Sequence, residues 1–170
     1  MPEKDELLYT KKSIYETITK TDLALSEEYC TEYKRYLDNA KTERESVAEA
    51  IKLAGKRGFE PYKRGMALRP GTKVYMDVGG KTLILAVIGK KPLSDGANIA
   101  AAHIDSPRLD LKQVPLYEDG DMAFFKTHYY GGIKKYQWVA QPLALHGVVI
   151  KKDGSMVDVV VGEAMVMPPK

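Results

Sequence analysis

At Thr72 the apolar spacing of this chain changes from three-to-four residues to two, which divides it into a helical front and a strand-rich remainder. Ahead of that point Leu25, Tyr29, Tyr33, Tyr36 and Leu37 recur at helical steps. They predict a helix over 26–37, with the tyrosines as packing residues whose hydroxyls stay wet. Thr42-Glu43-Arg44-Glu45 reads as a capping box. The threonine hydroxyl accepts from the backbone N–H three residues on, and the glutamate reaches back. Val47, Ala50, Ile51 and Ala54 then form one apolar stripe, so a second helix is expected over 43–57.

Beyond Thr72 the pattern is that of strands. Residues 74–78 and 82–88 flank Gly79-Gly80, which supplies the positive φ of a tight hairpin turn. Leu109 and Leu111 alternate with Asp110 and Lys112, residues 123–127 are aromatic and apolar, and residues 143–150 and 156–161 flank a Lys-Asp-Gly turn as a second hairpin. The expected fold is α/β. N-terminal helices and part of a mixed sheet occupy residues 1–107, and a small antiparallel β domain occupies 108–170.

The apolar run 97–102 predicts a short buried central strand that ends in His103-Ile104-Asp105-Ser106-Pro107. Strand residues two apart share a face, so His103 and Asp105 would point into one cleft while Ile104 points back. A carboxylate so placed orients an imidazole that binds a metal, because it fixes the tautomer and raises the basicity of the ligand nitrogen. The same pair also fits a strand-end histidine held by a neighbouring acid, with no metal.

Charge and cysteine content narrow the partners. With 26 basic and 23 acidic side chains, interspersed, the net charge is +3 and no basic stripe marks a nucleic-acid surface. Cys30 is the single cysteine; it can form no internal disulfide and fits a reducing, cytoplasmic location. Glu27, Glu28 and Glu32 around it argue against an activated thiol. The charged N-terminus has no signal-peptide core, and the longest apolar runs are too short to cross a bilayer.

Residues 102–150 resemble the aspartyl aminopeptidase family of zinc metallopeptidases at three separated landmarks. These are the His-x-Asp-Ser-Pro turn at 103–107, Tyr130-Gly131-Gly132 followed by Trp138, and the Pro-Leu-x-Leu-x-Gly strand at 142–148. The likeness is strongest over 97–150, thins back towards residue 22, and covers the first part of the family's length. The resemblance implies that His103 is a metal ligand and that Asp105, the catalytic-site aspartate, holds it in place. It also implies a two-zinc site, with other divalent metals able to substitute. The bridging aspartate, Glu-Glu pair, further acidic ligand and late histidine of such a site would lie downstream of Lys170. The region from 108 is implied to be the segment through which family members form homodimers and larger homo-oligomers.

On that resemblance the chain is expected to belong to a cytoplasmic metalloaminopeptidase that removes N-terminal, perhaps acidic, residues from peptides. The 170-residue chain is expected to be an incomplete and inactive portion. The alternative is a non-catalytic oligomerisation or binding module with a vestigial His-x-Asp. Other motifs carry less. Glu27-Glu28 precedes His103 and has the wrong order for the catalytic pair, His128 reads as a surface histidine, and His146, inside an apolar strand, reads as a structural hydrogen-bonding residue. Ser106 lacks a nucleophile elbow, and Gly131-Gly132 lacks the residues of a phosphate loop.

Overall fold

Helix-forming and strand-forming segments separate along the chain as the apolar period requires. The computed structural model describes residue 9, residues 11–104 and residues 106–163. Contacts group the chain into two compact units, one ending at Leu37 and one beginning at Asp38.

The first unit is dominated by helix α1 (Lys20–Asn39), which begins six residues earlier than the tyrosine spacing suggests. Thr19 accounts for the difference. Its hydroxyl accepts from the Asp22 N–H at 3.1 Å and donates to the Asp22 carboxylate at 2.6 Å, so the first turn is capped. No residue of α1 is buried. Tyr29 and Tyr33 stack on one another, ring centroids 6.4 Å apart, and are exposed. Cys30 is half-buried and reduced.

The second unit begins with helix α2 (Glu43–Lys56), and its capping box forms as predicted. Thr42 Oγ1 accepts from the Glu45 N–H at 3.3 Å, and Glu45 Oε2 accepts from the Thr42 N–H at 2.9 Å. Val47 and Ala54 of the stripe are buried, and Ser46, just before Val47, is the most enclosed side chain at 0% exposure. Strands β1 (Glu60–Pro61), β2 (Lys73–Val78) and β3 (Thr82–Val87) form a mixed sheet, β1 parallel to β2 and β2 antiparallel to β3. Val74 of β2 completes the small core with Ala40, Val47 and Ala54. The β2–β3 turn closes on Gly79 and Gly80, both with φ near +70°, while Asp77 Oδ1 accepts from the Gly80 N–H at 2.7 Å.

Two further antiparallel ribbons follow, β4 (Arg108–Asp119) with β5 (Met122–Tyr130), and β6 (Leu145–Ile150) with β7 (Met156–Val161). The α/β class and the mixed sheet are as expected. Residues 97–102 differ, because they form no strand and stand exposed, Ile99 at 87%. A central strand needs neighbours for its N–H and C=O groups, and among the described residues none pairs with this run. Among the described residues, too, no helix is long and apolar enough to cross a membrane.

Candidate functional site

The segment that carries His103 is fixed from both sides. Ser46, on the first turn of α2, donates its hydroxyl to the Ile104 carbonyl at 2.5 Å across 58 residues of sequence. Pro107 packs against Gly131, whose φ of +78° disfavours a side chain and where an added Cβ would crowd the proline Cβ at 3.3 Å. Two of the three sequence landmarks therefore touch.

His103 itself is exposed, and its imidazole is stacked with the Tyr130 ring at 6.4 Å between centroids and 25° between planes. The Arg108 guanidinium lies 4.1 Å from the centroid of the same ring. Arg108 and Tyr130 face one another in the β4–β5 register, so the ribbon aligns the cation with the ring. Arg108 Nε donates to Asp110 at 2.7 Å and its terminal nitrogen to Glu43 of α2 at 3.2 Å. Tyrosine and arginine thus form a charged, aromatic backing beside the histidine. Asp105 lies outside the described residues.

A structural zinc normally takes four protein ligands and a catalytic zinc three with one position left for water. Among the described residues no group of three or more His, Cys, Asp or Glu side chains could hold a metal ion. His103 is a single candidate ligand, and the described residues do not make a zinc site by themselves.

The other histidines separate clearly. His128 is exposed and stacks on Tyr129 at 5.3 Å. His146 is half-buried between two carboxylates. Its Nδ1 lies 2.7 Å from Glu45 Oε1, and its Nε2 lies 2.5 Å from Glu163 Oε1. A structural hydrogen bond was legible for His146, but its partners were not, since Glu45 lies 101 residues away in sequence. Burial favours the neutral imidazole, yet the hydrogen bonds and charges of Glu45 and Glu163 outweigh it and raise the pKa of His146. For Glu45 burial pushes upward, and the hydrogen bonds from His146 and Thr42 prevail, leaving it below the ordinary glutamate value.

These elements line one cleft of about 760 Å³, bounded by the start of α2, by 106–111 and by β6. His146, Arg108 and Trp138 contribute to its walls.

Comparison with known proteins agrees with the landmarks. Residues 36–165 match the family described as aminopeptidase I zinc metalloprotease (M18). The chain is 58% identical over 135 residues to "Probable M18 family aminopeptidase 1" of Clostridium acetobutylicum, covering 77% of this chain and 29% of that protein. The crystal structure of aminopeptidase I from Borrelia burgdorferi superposes with a TM-score of 0.82 at 38% identity, covering 89% of this chain and 37% of that one. Aminopeptidase I from Clostridium acetobutylicum gives 0.78 at 50% identity, covering 95% and 36%. The chain therefore spans roughly a third of the length of the relatives it matches. By sequence and by fold it belongs to the M18 family of aminopeptidases.

Proposed function

We propose that this chain is part of a zinc-dependent aminopeptidase of the cytoplasm, acting on peptides with an acidic N-terminal residue, and that it contributes His103 as one metal ligand with Asp105 as the residue that orients it. The observation that carries the reading is the convergence of the family's landmarks. Pro107 closes on Gly131 and Tyr130 backs the His103 imidazole, and the histidine is exposed. The remaining ligands, for two zinc ions, come from outside the described residues. Residues 1–107 form the first part of the catalytic domain, and residues 108–170 form a β domain for homodimers or larger homo-oligomers. Exposed apolar side chains on both ribbons support that role, among them Val114 at 79% and Ile150 at 62%.

The test is a joint measurement of metal content and turnover. In the whole protein His103→Ala lowers zinc occupancy and hydrolysis of aspartyl-arylamide together, whereas Asp105→Asn costs about 10–100-fold in affinity or activity. The 170-residue chain alone binds substoichiometric zinc and turns over no substrate. Wild-type zinc content in His103→Ala would sink the ligand assignment.

A further inference from the structure

A neutral imidazole carries one N–H and one lone pair, whereas an ionised carboxylate only accepts. His146 presents both ring nitrogens to carboxylates, at 2.7 Å to Glu45 and 2.5 Å to Glu163. With one ring proton, one of those two contacts would set lone pair against lone pair. A second ring proton satisfies both contacts with both carboxylates ionised, and the half-buried setting, with side chains 14–29% exposed, makes the mismatch costly.

Glu45 spends its two oxygens differently. Oε2 closes the capping box of α2 on Thr42, and Oε1 meets His146 of β6. Glu163 follows β7 directly after Gly162. We propose that Glu45, His146 and Glu163 form a one-proton clasp, which fastens the β6–β7 hairpin to the first turn of α2 while the imidazole carries both ring protons and releases it when one is lost.

Charges from every neighbouring element bear on this proton. Glu43 and Arg44 of α2, Arg108 and Asp110 of β4, and Lys41 and Lys81 line the same cleft. Arg108 is engaged by Glu43 and Asp110, so its positive charge is neutralised locally. The cationic and acidic groups around the cleft roughly offset one another, so what favours the proton is the pair of carboxylates that touch the ring, Glu45 and Glu163. Its raised pKa means that the clasp is fully present below the ordinary histidine value and is lost as pH rises through the clasped value. Between the two, the closed-to-open ratio falls by up to about tenfold per pH unit. At the acid end the sign reverses. Glu45, held below its ordinary value, contributes above that ordinary value and is lost as pH falls through the lowered one.

Long-range proton–nitrogen correlation spectra of the full chain read the ring directly. At the ordinary histidine value both His146 nitrogens should still appear protonated. The ring should titrate above an ordinary histidine, and its Overhauser contacts to the Glu45 methylenes should weaken through the same midpoint. Glu163→Gln provides a side-chain amide that donates to an unprotonated Nε2. It should drop the midpoint towards the ordinary range while keeping the Glu45 contact at high pH. A wild-type ring that titrates at or below the ordinary histidine value, or a midpoint unchanged by Glu163→Gln, overturns the clasp; the wild-type spectrum decides by itself if the variant does not fold.

Discussion

Pro107 lies against Gly131 so closely that a Cβ on the glycine would stand 3.3 Å from the proline Cβ and 3.4 Å from its Cα. Gly131 also has a φ of +78°. Gly131→Ala therefore meets a backbone penalty of about 1–2 kcal/mol for the left-handed conformation, with the crowding added to it. Chemical denaturation should show the loss. The Tyr130 ring resonances should shift as the His103 segment moves, and a variant as stable as wild type would show that the contact constrains nothing.

Ser46 is the most enclosed side chain in the core and bonds the Ile104 carbonyl, next to His103. Ser46→Ala removes the donor and leaves that carbonyl short of a partner, at a cost of about 1–3 kcal/mol. Ser46→Cys, with a weak donor of similar size, should recover only part of it. Equal unfolding midpoints for Ser46→Ala and wild type would contradict the role.

The capping box of α2 does more than start a helix. Thr42→Ala removes an N-cap worth about 1 kcal/mol and takes the hydroxyl donor from Glu45 Oε2, which keeps only the backbone N–H of residue 42. The stability loss should be accompanied by a shift in the His146 ring resonances, relayed through Glu45, whose carboxylate meets both residues. A cap lost without any change at His146 would separate the helix start from the clasp.

Arg108 offers a flat guanidinium to Tyr130 and a fork to Asp110 and Glu43. Arg108→Lys keeps the charge but loses the stacking plane and one of the donors, and should cost about 0.5–2 kcal/mol. Salt should reduce the difference only weakly, since the group is mostly enclosed at 22% exposure. A neutral outcome in a urea titration would reassign Arg108 to solvent.

The exposed apolar faces of the ribbons should drive self-association at micromolar concentration. Phe125 is 54% exposed and Ile150 62%. Charged substitutions at these positions should shift light scattering towards monomer more than substitutions at Lys151 or Lys152. A monodisperse monomer in the wild-type chain would count against assembly through residues 108–161.

Local chemistry was readable in the sequence where the determinants are close together. Thr42 and Glu45 are three residues apart, and the Gly79-Gly80 pair marked the turn that joins β2 to β3. Thr19-x-x-Asp22 carried the true start of α1, but the tyrosine spacing further on was the stronger periodic signal. The run 97–102 misled because apolar content reports what a segment would bury, not whether a neighbouring strand is there to pair with it. The His103 surroundings were half legible. Tyr130 and Pro107 belonged to recognisable landmarks, but Ser46 and Arg108 enter through contacts that no spacing encodes.

The irregularity in β4 has a consequence for how any substitution in the ribbon must be numbered. Leu111 pairs with Thr127 and Leu116 with Phe125, so five steps on one strand match two on the other, with Pro115, which has no N–H to give, inside the excess. Five is odd, and the parity of the strand inverts there. Odd-numbered Leu109 and Leu111 share a face with even-numbered Leu116, while Arg108 and Asp110 share the opposite face with Tyr117, which stacks on Phe124. Deleting a single residue between 112 and 115 would exchange the two faces of everything from Leu116 to the turn, turning a one-residue edit into a rewriting of the whole distal ribbon.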